Sequence, residues 1–340
     1  MYSFRDDYSE GCHPGILEAL STTNMSQQDG YGDDEYSLKA KQLIKKRIGN
    51  ENADIFFVSG GTQANLSVIA SILRPHEAVV AVRSGHIAVH EAGAIESTGH
   101  KVCVVDSSDG KIVSHQIKSL LEEHKDVPHM VKPRLVYISN STEVGTFYTK
   151  AELADLYDFC KKNGMYLYLD GARIGMALSA KDNDLQFADL AVLTDVFYIG
   201  GTKNGALLGE AIVINNNVLK ADFAFHLKQR GALLAKGRVL GIQFYELFKD
   251  NLYLELAQWA NDMAQKLAKA IKNAGYQFYS QPATNQLFPI FPNELILKLE
   301  KEFSFYRWCR VDDKHTVIRL VTSWATREEA VEEFAKSLKG

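Results

Sequence analysis

A lysine carried into a glycine-bracketed turn directly after an apolar run can lose water, drop its pKa and become a nucleophile for a carbonyl. Lys203 is placed this way, after Val196-Phe197-Tyr198-Ile199 and between Gly200-Gly201 and Gly205. Taken alone the stretch reads equally well as a plain glycine turn. The question is what else the chain offers such an amine. Ser59-Gly60-Gly61-Thr62 separates the strand-like Ile55-Phe56-Phe57-Val58 from a helical start at Gln63. Backbone N–H groups, a helix N-terminus and hydroxyls at such a turn suit a phosphate. The turn matches neither the P-loop nor the G-x-G-x-x-G dinucleotide pattern. Asp170 ends the run Tyr166-Leu167-Tyr168-Leu169, where an unpaired charge would be costly. Its partner is either Arg173, in a structural ion pair, or a protonated pyridine nitrogen, the group that makes pyridoxal phosphate an electron sink. A phosphate cradle, a strand-end aspartate and a loop lysine are together the parts that pyridoxal phosphate requires.

These parts meet only if they stand at the carboxyl ends of neighbouring strands, where an open α/β sheet faces its ligand. Short, continuously apolar runs recur at 78–82, 102–105, 135–138, 166–169, 197–199 and 211–214, with helical patterns between several of them. That rhythm predicts a largely parallel sheet covered on both faces. A long helical stretch over about 232–274 breaks it. Beyond Gly275, strand-like 287–291, a helix near Glu294, a strand at 317–321 and a closing helix over 327–338 predict a small α+β domain. The expected division is an irregular arm over 1–14, a large cofactor-binding domain over 15–248 and a small C-terminal domain over 249–340.

With 340 residues, 46% apolar and 24% charged, the chain can bury a large core. A net charge of −4 without a basic patch argues against nucleic acid or an anionic membrane as partner. No apolar run approaches the roughly 18 residues of a membrane span. Cys12, Cys103, Cys160 and Cys309 are scattered without C-x-x-C spacing, and the first residues lack a charged-then-apolar signal pattern. Free thiols in the cytoplasm are the expectation. His86, early in a helical segment, would cap, pack or stack on a pyridine ring. His86, His90 and Glu91 have a helical spacing that a metal could use, but no further ligand cluster accompanies them. The expectation is no metal.

Phe57-Val58-Ser59-Gly60-Gly61-Thr62-Gln63-Ala64-Asn65, His86-Ile87 with Glu91-Ala92-Gly93, Leu169-Asp170-Gly171-Ala172-Arg173 and Gly201-Thr202-Lys203-Asn204-Gly205 carry a family likeness. Together they resemble the threonine aldolase branch of the aspartate-aminotransferase-type (fold type I) pyridoxal-phosphate enzymes. The likeness continues through 227–238 and 318–326 and covers essentially the whole chain. It implies an α/β, PLP-dependent transferase-like fold with a mostly parallel sheet in the large domain. It also implies roles. Lys203 would hold pyridoxal 5'-phosphate as a Schiff base, with Asp170 against the pyridine nitrogen and His86 stacked on the ring and available for proton transfer. Gly60, Gly61, Thr62 and Thr202 would hold the phosphate. Arg173 would sit by the cofactor's phenolic oxygen or the substrate, and Arg319 would bind the substrate carboxylate, a bidentate task that suits a planar guanidinium. The other reading of Arg319 is a strand residue in a surface ion pair. A homo-oligomer, dimer or tetramer, with the active site between subunits is implied too, and Tyr31, Lys228 or Arg230 would then reach a partner's cofactor.

Two positions depart from the family pattern. Many members have a serine near the substrate carboxylate where this arm has Asp6, and an acid there would repel the carboxylate. Where many have Asn-Thr-His, this chain reads Ser141-Thr142-Glu143. Glu143 either takes over that histidine's work at the substrate hydroxyl, shifts the preferred substrate, or is an exposed structural glutamate. The expected reaction is retro-aldol cleavage of L-threonine or L-allo-threonine to glycine and acetaldehyde, with Glu143, His86 or an ordered water as the base. The alternative is β-elimination or aminotransfer on the same scaffold, and the reading from another class is a non-catalytic PLP-binding regulator.

Overall fold

The computed structural model describes residues 1–338. Its large sheet has seven strands, β1 (Asp54–Val58), β2 (Glu77–Val82), β3 (Val102–Val105), β4 (Lys132–Ser139), β5 (Tyr166–Asp170), β6 (Val196–Gly200) and β7 (Glu210–Ile214). They lie in the order β1-β7-β6-β5-β4-β2-β3, and β7 alone runs against its neighbours β1 and β6. β2, β6 and β7 are buried along their whole length, as strands covered on both faces must be. Successive side chains point to opposite faces. Leu167, Leu169 and Phe197 therefore join one core, whereas Tyr168, Val196 and Tyr198 join the other.

The topology gathers five chain segments along one edge of the sheet. Ser59 follows β1, Ser139 ends β4, Asp170 ends β5 and Gly200 ends β6, while the reversed β7 begins there with Glu210. Gly171 lets two of these ends close together. A Cβ on it would lie 1.9 Å from the Tyr198 carbonyl oxygen, so only glycine fits, and its own carbonyl accepts the Gly200 N–H at 2.9 Å.

The single helical stretch expected over about 232–274 is two helices, Arg238–Lys249 and Leu252–Asn273, broken at Asp250-Asn251. The break has a packing reason. Leu240, Phe244 and Leu247 are buried in or beside the large-domain core, but Met263, Leu267 and Ile271 belong to a separate core. One straight helix cannot present a buried stripe to both.

That second core lies under a four-stranded antiparallel sheet of Gln286–Leu287, Ile290–Pro292, Tyr306–Arg310 and His315–Val321. The strand expected over 287–291 is interrupted at Pro289, which has no N–H to donate. The N-terminal arm is less irregular than its sequence suggests. Tyr2–Ser3 pairs in parallel with Phe303–Ser304, and fully buried Phe4 meets the rings of Phe303 and Phe334 with centroids 6.0 and 5.5 Å away. Among the described residues no helix is long and apolar enough to cross a membrane.

Phe4 thus anchors the arm to the small domain. Phe4→Ala is expected to lower stability by about 3 kcal/mol, the usual cost of emptying a buried aromatic site. Chemical denaturation measures it, and an unchanged midpoint would show the arm to be dispensable for folding.

Candidate active site

Asp170 is 4% exposed and surrounded by donors. Its Oδ2 accepts the Tyr137 hydroxyl at 2.6 Å and the Asn65 amide at 3.2 Å, while Oδ1 accepts the Tyr198 hydroxyl at 2.5 Å and the Ala172 N–H at 3.0 Å. Burial opposes its ionisation, but His86 and the bonds from Tyr137, Tyr198 and Ala172 outweigh burial and hold the carboxyl below its ordinary value. Burial, then the charge of Asp170, pushes the Tyr137 and Tyr198 phenols well above the usual tyrosine range, so both stay protonated and donate. Arg173 makes no hydrogen bond to Asp170 among the described residues. The ion-pair reading of these two is corrected.

Arg173 instead forks onto Asp7, with Nε at 2.7 Å from Oδ2 and Nη2 at 3.0 Å from Oδ1, and the Asn285 amide adds a bond to Oδ2 at 2.9 Å. Asp7 is fully buried, and its carboxyl is held low because the cations Arg173, Lys203 and Arg319 overcome the effect of burial. The acid of the arm that enters the site is therefore Asp7. Asp6 is part-exposed and lines only the outer crevice, where it is a neighbour of Arg319. The repulsion expected from Asp6 applies to a rim position, because the arm buries Asp7 against Arg173 and leaves Asp6 part-exposed.

Lys203 lies in the turn after β6, and no hydrogen bond or ion pair to it occurs among the described residues. Burial, then the positive charge of Arg173, pulls its ammonium down; Asp7, Asp170 and Glu210 oppose this without cancelling it. Facing it, Ser59–Thr62 leads into the helix Gly61–Ile72, whose N-cap, Gly60, has no capping side chain. The Ser59 hydroxyl is turned away to Gln63, leaving first-turn amides without a side-chain partner. A Cβ on Gly61 would lie 3.0 Å from the Tyr198 hydroxyl, so glycine keeps this cradle open. Thr202 accepts the Gly209 N–H at 2.9 Å beside it.

His86 starts the short helix His86–Val89. Its Nδ1 is 2.8 Å from Glu91 Oε1, which also accepts from Asn65 at 2.7 Å, so Asn65 links the histidine's partner to Asp170. The Glu143 reading as an exposed glutamate is corrected. Its Oε1 accepts the His86 N–H at 2.9 Å and the Ser139 hydroxyl at 2.7 Å, whereas Oε2 is buried without a partner among the described residues. Burial pushes this carboxyl up despite those two bonds. Arg319, in the strand His315–Val321, points both Nε and Nη2 at Gln286 Oε1, at 3.1 and 2.8 Å. It has no ion pair among the described residues, so the surface-ion-pair reading fails. Burial, then Arg173, brings it down to about 10, which leaves it charged at neutral pH.

These side chains share one crevice. An inner cavity of ≈ 270 Å³ holds Gly60, Gly61, Thr62, His86, Asp170 and Lys203, and an outer one of ≈ 460 Å³ holds Asp6, His90, Trp308 and Arg319. Glu143, Arg173 and Lys203 border both. The donor set fits pyridoxal phosphate, with an uncapped helix end for the phosphate, an ionised aspartate for the ring nitrogen and an unpaired amine for the aldehyde. Tyr31, Lys228 and Arg230 stand elsewhere, with Lys228 Nζ 4.4 Å from the centre of the Tyr31 ring and Arg230 bonded to His226 and Gln229. The sequence reading gives no site role to Asp7, Asn65, Tyr137, Tyr198 or Glu210, and weighs Glu91 only for its metal-like spacing with His86 and His90. Tyrosines inside otherwise apolar strands, and a glutamate opening one, were the available signals.

The family model described as beta-eliminating lyase matches residues 4–292. A low specificity L-threonine aldolase of Pseudomonas aeruginosa is 30% identical over 341 residues, 98% of this chain and 96% of that protein. The solved structure of a threonine aldolase from Leishmania major superposes with a TM-score of 0.98 at 49% identity, covering 100% of this chain and 99% of that one. A Thermus thermophilus aspartate aminotransferase, 14% identical, superposes with a TM-score of 0.74 over 99% of this chain and 90% of its own, and shows the shared fold.

Asp7→Asn leaves the buried Arg173 charge unpaired and is expected to destabilise the protein by about 3 kcal/mol at neutral pH. Because the folded-state pKa of Asp7 is depressed, its contribution is present above the unfolded value near 3.9 and is lost as pH falls below it. Denaturation curves should therefore differ at pH 7 and converge below about pH 4. Parallel curves at both pH values would refute the pairing energy.

Proposed function

Because the chain belongs to the beta-eliminating lyase family, to which its fold type I architecture and near-full-length identity with threonine aldolases both point, we propose that it cleaves L-threonine or L-allo-threonine. The products are glycine and acetaldehyde, and the cofactor is pyridoxal 5'-phosphate. The observation that carries this reading is a part-buried lysine without a hydrogen-bonded partner among the described residues, set in one cavity with an ionised Asp170 and an uncapped helix N-terminus.

Bound there, pyridoxal phosphate supplies an electron sink for the bonds to the substrate's Cα. The amine of Lys203 is the nucleophile toward the cofactor aldehyde, and its lowered proton affinity keeps a reactive fraction available. Asp170 holds the pyridine nitrogen protonated, since its four donors keep it ionised. Gly60, Gly61, Thr62 and Thr202 would hold the phosphate, and His86, braced by Glu91, would pack against the ring. Arg319 binds the substrate carboxylate with a charge that no acid neutralises. Arg173, already neutralised by Asp7, orients by hydrogen bonding. Glu143 takes the proton of the β-hydroxyl on its free Oε2, the Cα–Cβ bond breaks to release the aldehyde, and a proton delivered to Cα completes glycine. His86 is the neighbouring proton donor.

In this reading the protein is a cytoplasmic homo-oligomer. Its free cysteines and the exposed Tyr31, Phe225 and Lys228 region support that part.

The purified protein should show a visible absorption band that borohydride abolishes with modification of Lys203, and threonine should yield acetaldehyde. 2-Oxobutyrate and ammonia without acetaldehyde would make it a β-eliminating lyase, and a colourless protein that takes up no pyridoxal phosphate would overturn the reading. Lys203→Ala should remove both band and turnover. Glu143→Gln should lower kcat by about 10²- to 10⁴-fold, the usual contribution of a positioned base. The wild-type acid limb of kcat/KM should lie above the ordinary glutamate value of about 4.3, because burial raises this carboxyl and protonation disables it. An acid limb that survives Glu143→Gln would assign the base elsewhere.

A further inference from the structure

Gln286 has no task in the reaction above, although it is buried at the junction of the small sheet with the crevice and both ends of its amide are engaged. Its Oε1 takes the two bonds from Arg319, and its Nε2 donates to the Thr142 carbonyl at 3.1 Å. Strand register explains the first contact. Gln286 stands opposite Val321 in the small sheet, and Arg319, two residues before Val321, shares that side of its strand.

The second contact reaches the turn that carries Glu143. The Thr142 carbonyl also accepts the Gly145 N–H at 3.0 Å, so it closes the turn and receives the Gln286 amide at once. Gly145 has a φ of +80°, and a Cβ on it would lie 2.7 Å from the Gln286 carbonyl oxygen, so the two backbones press together. Ser280 donates to the Val144 carbonyl at 2.7 Å, and Thr284 donates to that of Gly145 at 2.9 Å. Glu143 is therefore held on both sides by residues that precede or open the small sheet. The chemistry of the two contacts selects an amide. A guanidinium only donates and a backbone carbonyl only accepts, so the side chain between them needs an acceptor at one end and a donor at the other. A glutamate would set an oxygen against the Thr142 carbonyl and give Arg319 the counter-ion it lacks among the described residues.

We propose that Gln286 is a positioning residue that fixes Arg319 relative to the Glu143 turn and, being neutral, reserves the arginine's charge for the carboxylate of the substrate. Arg319 and Glu143 both line the outer cavity, so one bound amino acid meets them together. A β-hydroxy-α-amino acid carries its carboxylate and its hydroxyl on adjacent carbons, and a single amide tied to both protein groups keeps their spacing constant. Gln286 acts through Arg319 and the turn. The assignment rests on the roles given above to Arg319 and Glu143.

The test combines steady-state cleavage of L-threonine by the holoenzyme with hydrogen exchange of the full-length protein, read by mass spectrometry over peptides covering 141–146. Gln286→Glu and Gln286→Met keep the length of the side chain, and both remove the donor to Thr142. Both should quicken exchange over 141–146 and lower kcat by up to about 10²-fold, the cost of misplacing a catalytic group by about 1 Å. KM should rise in both, but only glutamate neutralises Arg319, so its KM should exceed that of the methionine variant by about tenfold, the scale of one hydrogen bond to a charged group. A purely structural role predicts the same KM for the two. Equal KM values overturn the proposal, as does a wild-type KM or wild-type exchange over 141–146 in either variant that folds with a wild-type circular dichroism spectrum. Exchange needs neither cofactor nor threonine, so failure of the aldolase reading would be seen separately, as missing acetaldehyde from the unsubstituted protein.

Discussion

Lys203 is useful as a nucleophile only while its ammonium is denied both water and a close counter-ion. Either would stabilise the proton and fix the residue as an ordinary surface cation. The cavity meets this requirement by distributing charge. Arg173 depresses the lysine and Arg319 competes for Asp7, while Asp7, Asp170 and Glu210 oppose them from different elements, with no ion pair to the amine among the described residues. Each acid is engaged by other donors first, Asp7 by Arg173 and Asn285, Asp170 by two phenols and an amide, and Glu210 by the Gly201 N–H.

Holding several buried charges near one another is expensive unless every one is hydrogen-bonded. The fold meets this cost with rigid elements. Strand ends β4, β5 and β6 place Ser139, Asp170 and the lysine loop along one edge. Tyr137 and Tyr198, one on each strand flanking β5, reach toward the same carboxylate because they share its neighbours' face of the sheet. The N-terminal arm ties the two cores together. Phe4 is buried in the small-domain core, Asp7 binds Arg173 of the large domain, and Asn285, beside the small sheet, closes the triangle. Small-domain placement is thereby coupled to the charge of Arg173. Arg319 stands at the mouth of the same crevice.

Two raised acids occupy different parts of the crevice. Glu143 faces both cavities with a bare oxygen, which suits it to a substrate group entering from the outer one. Glu210, at the start of β7, accepts the Gly201 N–H and lines the inner cavity. Their carboxyls are both raised by burial, and they enter the crevice from different elements, Glu143 from the loop after β4 and Glu210 from β7.

Much of this was legible in the chain. The runs at 166–169 and 197–199, each followed by glycine, marked Asp170 and Lys203, because strand burial and the turn that ends it are written in consecutive residues. The Ser59–Thr62 turn was readable for the same reason, and so was the α/β rhythm. The sequence does not say which of Asp6 and Asp7 faces inward; the bonds of Arg173 and Asn285 to Asp7 decide it. Glu143 could not be told from a surface residue, since its burial depends on the crevice walls and not on its neighbours. The helix over 232–274 was drawn through Asp250-Asn251 because helical periodicity does not know that two cores lie in different directions. Local sequence determined the loop lysine, the strand-end aspartate and the glycine cradle. Only the tertiary structure decided which acids and phenols surround them, because those contacts join residues tens to hundreds of positions apart through strand order and the reversal of β7.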